Sequence, residues 1–246
     1  MPVSAALWRR VTAELTGTAA LVTVVVGSGI MAQSLSPDRA VQLLANSATT
    51  ALGLAVLIAV FSPISGAHFN PVVSLADWWL GRANHTGLTL AEAGLYALAQ
   101  TAGAITGAII ANLMFALPAA SLSHTTRTGT HLWLAEVVAT TGLVVVIVSL
   151  VRNGRATTIP AAVGAYIGAA YWFTASTSFA NPAVTIGRAF TDTYAGIAPA
   201  SIPGFVAAQG IGLLIALGLI AVLYPAARPE PVTPGTIAQE RQPEHV

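Results

Sequence analysis

Two dipeptides carry the chemistry of this sequence, Asn70-Pro71 and Asn181-Pro182. The first follows Ser65-Gly66-Ala67-His68-Phe69 and the second follows Thr177-Ser178-Phe179-Ala180. Asn is a favoured N-cap because its side-chain carbonyl satisfies an orphan helix N–H, and Pro suits the first helical position because it has no N–H to leave unpaired. Each dipeptide therefore predicts a helix start. The apolar run after each lasts about ten residues, which at 1.5 Å per residue crosses only half a bilayer. Both half-helices would turn their positive dipole ends towards the Asn side chains. An Asn that caps through its carbonyl keeps amide N–H groups as donors, which suits the hydroxyl oxygens of a neutral solute and disfavours a cation or an excess proton.

The rest of the chain predicts what positions these two boxes. Of 246 residues 8% are charged and 55% hydrophobic, with a mean hydropathy of +0.74; soluble chains carry about 25% charge. An ordinary soluble enzyme is excluded. The ten basic residues are all arginine and give a net charge of +1, too little to recruit nucleic acid. With no cysteine there is no disulfide framework, thiolate metal site or cysteine nucleophile. The histidines are scattered, and His124 and His131 lack ligand spacing with anything nearby. No nucleophile–base or metal constellation appears, so no enzymatic activity, metal or cofactor is expected.

A span needs about 20 apolar residues to cross the hydrocarbon core, and such runs lie near 12–33, 40–61, 91–116, 132–151, 159–176 and 203–224. Arg9, Arg10, Arg82, Arg152, Arg155, Arg228 and Arg241 fall on one side of these spans and Arg39, Arg127 and Arg188 on the other. The excess of arginine predicts that both termini are cytoplasmic. The proline-rich stretch 225–246 is expected to be a disordered cytoplasmic tail, leaving 1–224 as a single channel domain.

The chain also repeats, over about 12–116 and 132–224. Ala13-Glu14-Leu15 matches Ala135-Glu136-Val137, the two Asn-Pro boxes match, and Ala99-Gln100 with Gly103 matches Ala208-Gln209 with Gly212. Three crossings per repeat invert the second copy, so the half-helices enter from opposite faces and Asn70 and Asn181 meet at the midplane. Irregular backbone at that depth must be buried in protein or line a water-filled cavity. Symmetrically placed Glu14 and Glu136 are expected to hold each re-entrant loop through its N–H groups, and His68 to act as a loop strut. Gly103, Gly107, Gly212 and Gly218 predict close helix packing.

Paired Asn-Pro boxes in inverted repeats resemble the major intrinsic protein family, the aquaporins and glycerol-type channels, from about Glu14 to Tyr224. The resemblance implies an all-α membrane protein with six transmembrane helices, two re-entrant half-helices, a pore in each subunit and a homotetramer. It makes Asn70, Pro71, Val72, Asn181, Pro182 and Ala183 the pore boxes. Val72 stands where the family usually has Ala, and Val184 stands where it usually places an arginine at the narrowest point. Counting back from each Asn assigns Thr50 and Ala169 to the filter, with Ser178 from the loop; a one-residue slip in that loop would put Ala170 or Gly168 in place of Ala169, and every position stays small and uncharged. Arg188, one turn beyond Val184, is expected at the outer mouth or, more simply, in an i,i+4 ion pair with Asp192.

A wide neutral filter of this kind resembles the arsenic-linked bacterial channels of the family. It implies passage of glycerol-like solutes, arsenous acid or methylated trivalent arsenicals, and possible passage of water. The competing readings are a coupled secondary transporter, which needs mid-membrane ionisable groups beyond the two glutamates, and a closed structural membrane protein.

Overall fold

The computed structural model describes residues 5–224; the tail expected at 225–246 lies outside them. The first repeat comprises helices α1 (Leu7–Leu35), α2 (Arg39–Ser65), the half-helix α3 (Pro71–Gly81) and α4 (Leu90–Met114). The second comprises α5 (Thr130–Arg152), α6 (Ile159–Phe173), the half-helix α7 (Pro182–Gly187) with a 3-10 turn at Arg188–Phe190, and α8 (Ile202–Leu223). Helices α1, α2, α4, α5 and α8 are each long and apolar enough to cross a membrane. The remaining predicted span, 159–176, is shorter in the structure: α6 has 15 residues and stops when Thr174 turns extended to enter the second re-entrant loop.

Local sequence explains the boundaries. Asp38 caps α2 by accepting from Ala40 and Val41 N–H, and Thr89 with Glu92 forms a reciprocal capping box on α4. Pro71 and Pro182 occupy the first helical positions of the half-helices, where the dipeptides predict helix starts.

Two of the main packing pairs repeat by pseudo-symmetry, α1 along α4 and α5 along α8, and α2 meets α6 across the two halves; α1 packs on α2 far more extensively than its counterpart α5 packs on α6. Backbones approach closely where α4 carries Gly103 and Gly107, because a Cβ there would overlap the carbonyl oxygens of Leu15 and Ala19. Gly212 sits in the same way against Val137 and Thr140. Gly218 corrects the expectation made for it, since a Cβ there meets nothing within 4 Å; it lies on the unpartnered face of α8. Gly107→Leu is expected to lower the thermal midpoint of the detergent-solubilised protein, reflecting overpacking of about 1–3 kcal/mol. Gly218→Leu should shift it much less.

Candidate functional site

The two half-helices meet cap to cap. Asn70 Oδ1 accepts from Val72 N–H at 3.0 Å, and Asn181 Oδ1 accepts from Ala183 and Val184 N–H at 3.0 and 3.2 Å. Each amide then reaches into the other repeat: Asn70 Nδ2 donates to the Ala180 carbonyl and Asn181 Nδ2 to the Phe69 carbonyl, both at 2.7 Å. This reciprocal pair fixes the junction of the two loops. An amide has two N–H donors, so each Asn retains one beyond the cross-bond.

Behind each loop stands a fully buried glutamate. Glu14 accepts from Ser65 Oγ (2.6 Å), His68 N–H (3.0 Å), Phe69 N–H (2.7 Å) and Gln100 Nε2 (2.8 Å). Glu136 accepts from Ser176 Oγ (2.6 Å), Phe179 N–H (2.9 Å), Ala180 N–H (2.8 Å) and Gln209 Nε2 (2.6 Å). The loop N–H groups are those the repeat predicts. The serine and glutamine donors complete each carboxylate; Gln100 and Gln209 were visible in the sequence only as repeat landmarks.

These bonds hold an unusual backbone. Gly66, Ala67 and Phe69 have positive φ, and so do their counterparts Thr177, Ser178 and Ala180. For residues with a Cβ this left-handed region is disfavoured and persists only where surrounding contacts enforce it. Among the described residues, no protein donor reaches the carbonyls of Ala67 and His68, or of Ser178 and Phe179. The loops thus offer acceptors beside the Asn donors, the complement a hydroxyl-bearing solute needs.

The predicted filter residues come together only in part. Thr50 and Val184 are both buried, and Ser178 is buried with a hydroxyl that has no protein partner. Val72 is buried against α5 and α8. Ala169 is a correction: it is exposed on the outward face of α6 with Ala161, Ala165 and Trp172. Gly164 and Gly168 pack against Ala51 of α2 and set the rotation of α6, which turns Ala170 and Tyr171 inward. Tyr171 Oη donates to Thr50 Oγ1 at 3.3 Å. The residue bonded to Thr50 is therefore a large phenol, with the small Ala170, the one-residue-slip alternative, buried beside it. The glycine pair at i,i+4 was the sequence signal that could have found it.

Arg188 does continue one turn beyond Val184, to whose carbonyl its N–H bonds, but it makes no pair with Asp192. The buried guanidinium bonds to the Ala195 carbonyl through Nε and lies 3.5 Å from the Phe179 ring centre. Asp192 instead accepts from the backbone N–H of His124 at 2.9 Å and meets its Nδ1 at 3.0 Å. The break from α7 into a 3-10 turn and then extended backbone at Thr191 carries Asp192 off the helical face. The His124 backbone N–H, followed by its imidazole, holds the Asp192 carboxyl below the usual range. His68 Nδ1 lies 3.1 Å from Ser74 Oγ, with its ring edge-on to Tyr96.

The sequence model of the major intrinsic proteins matches residues 1–180. The chain belongs to the major intrinsic protein family. Its similarity to other members extends over most of its length. It is 50% identical over 223 residues to aquaglyceroporin AqpS of Rhizobium meliloti (strain 1021), covering 91% of this chain and 93% of that protein. It is 32% identical over 189 residues to aquaporin TIP1-1 of Arabidopsis thaliana, covering 72% of this chain and 73% of the plant protein. The X-ray structure of the aquaglyceroporin from Plasmodium falciparum superposes with a TM-score of 0.70 at 19% identity, covering 89% of this chain and 98% of that one. That likeness is one of fold, and this family member is a multi-pass, all-helical membrane protein.

Proposed function

We propose that the protein is a passive channel for small uncharged polar solutes, conducting glycerol-like molecules and arsenous acid or methylated trivalent arsenicals, with water as a further permeant. The observation that carries this reading is the meeting of two Asn-capped half-helices beside unpartnered loop carbonyls, which supplies donors and acceptors for hydroxyl groups and a positive potential against cations. Thr50, Ser178 and Val184, with Tyr171 replacing the expected Ala169, make a filter without a charged side chain. Arsenous acid is neutral at physiological pH and presents three hydroxyls, much as glycerol does. The name of the 50% identical relative, an aquaglyceroporin, supports the glycerol part of the reading.

In this reading the protein works as a homotetramer in the cell membrane with both termini cytoplasmic. Glu14 and Glu136 hold the loops, His68 braces the first of them and Arg188 stands at the outer mouth. A coupled transporter is disfavoured because both buried glutamates are saturated by four donors each and have no evident proton or ion to exchange.

Stopped-flow light scattering on proteoliposomes tests the solute range. Glycerol and arsenous acid should each enter faster than in protein-free vesicles; water flux without either solute would defeat the proposal. With no cysteine in the chain, mercurial reagents should leave this flux unchanged. Reversible block, relieved by a reductant, would contradict that expectation.

A further inference from the structure

Resting on the channel reading, we infer that Arg127 and Arg188 together form a charge barrier at the outer end of the path, taking over the cation exclusion that Val184 cannot supply. The two side chains come from different segments and converge on one feature. Arg188, 2% exposed, lies 3.5 Å from the centre of the Phe179 ring, and Arg127, from the loop between α4 and α5, lies 5.3 Å from it. They also bind three consecutive carbonyls. Arg188 Nε donates to Ala195, while Arg127 Nε donates to Gly196 at 2.9 Å and Nη2 to Tyr194 at 3.4 Å.

Neither guanidinium has a carboxylate partner. Among the described residues the ion pairs are Arg10 with Glu92 and His124 with Asp192. Glu136 binds the Phe179 N–H, but its oxygens are already saturated by four donors. Two cations against one carboxylate leave the cluster positive. Burying unpaired charge is strongly unfavourable, and neutral donors could hold the same carbonyls, so the charge itself calls for a purpose.

The inverted repeat isolates that purpose. Parts of the scaffold occur in both halves, with Glu14 answering Glu136, Gln100 answering Gln209 and Asn70 answering Asn181. The offset between the Asn residues places His68 opposite Phe179 and Asp77 opposite Arg188. There the first repeat has an aromatic contact, His68 against Tyr96, and an acid that accepts the Leu88 N–H. The paired guanidiniums therefore belong to the outer half alone. Arg188 sits one turn beyond Val184 at the C-terminal end of α7, and the charges of the two guanidiniums add against an entering cation.

The test is proton and sodium leak into proteoliposomes of the full chain, read with internal indicator dyes under an imposed potential, alongside glycerol swelling. The double variant Arg127→Gln/Arg188→Gln should leak at least about tenfold faster than wild type. Glycerol flux in the same vesicles is the internal reference, so that the leak is read as the ratio of cation to glycerol entry. Arg127→Lys/Arg188→Lys keeps the charge without the planar fork and should remain tight. Should the double variant not fold, Arg127→Gln alone, at a half-buried position, should still raise the leak by at least about threefold. A folded Gln variant as tight as wild type overturns the inference, and so does a Lys variant as leaky as the Gln one, since bonding geometry would then be what matters. Failure of wild type to pass glycerol defeats the channel reading, whereas a tight Gln variant that still passes glycerol defeats the charge barrier alone.

Discussion

Val184→Arg should lower glycerol and arsenous acid flux at least about tenfold, equivalent to about 1.4 kcal/mol on the barrier. Val184 is buried one turn above the Asn181 cap, and Thr50 and Tyr171 are bonded to each other inside the same bundle. An arginine there introduces a hydrated guanidinium with five donors in a fixed fork, and solute must displace it to pass. It would also stand one helical turn from Arg188, adding repulsion between like charges. Water should lose less, being small enough to pass beside the side chain. Stopped-flow swelling with each solute gives the ratio, with size-exclusion profiles confirming folded protein. Equal declines for water and glycerol in well-folded protein would place the constriction elsewhere.

Glu14→Leu should abolish folded protein. It strands four donors inside the bundle, those of Ser65, His68, Phe69 and Gln100. Each unsatisfied group costs about 1–3 kcal/mol, and the sum is comparable with a whole domain's stability of about 5–15 kcal/mol. The left-handed residues Ala67 and Phe69 would also lose the anchor beside them. Glu14→Gln retains one acceptor oxygen and should give an intermediate yield. Glu136→Leu should behave like Glu14→Leu, because its four donors match by pseudo-symmetry. Yield of monodisperse protein and thermal midpoint are the readouts. Wild-type values for either leucine variant would remove the anchoring role.

Features set by short-range rules were legible in the sequence. Asn-Pro marks a helix start wherever it occurs, and the half-helices begin there. The recurrence of Glu14 and Glu136 pointed to the buried carboxylates, because acids within an apolar span must find donors. Features that depend on helix rotation or loop path were not legible. Counting back from Asn181 runs through Thr174–Ala180, where three positive-φ residues use chain length unlike a helix; the count landed on the exposed Ala169 and missed Tyr171. The Arg188–Asp192 pair assumed a helix that in fact ends at Gly187. The cross-bonds from Asn70 to Ala180 and from Asn181 to Phe69 join residues more than a hundred positions apart, which no local pattern encodes.

The concentration dependence of glycerol entry tests the central claim most directly. Wild-type protein in proteoliposomes, with an inward gradient raised stepwise, should give an initial flux that rises in proportion to the gradient without saturating and needs no ion gradient. A flux that saturates and follows an imposed proton or sodium gradient, or one no faster than in protein-free vesicles, would contradict a passive channel.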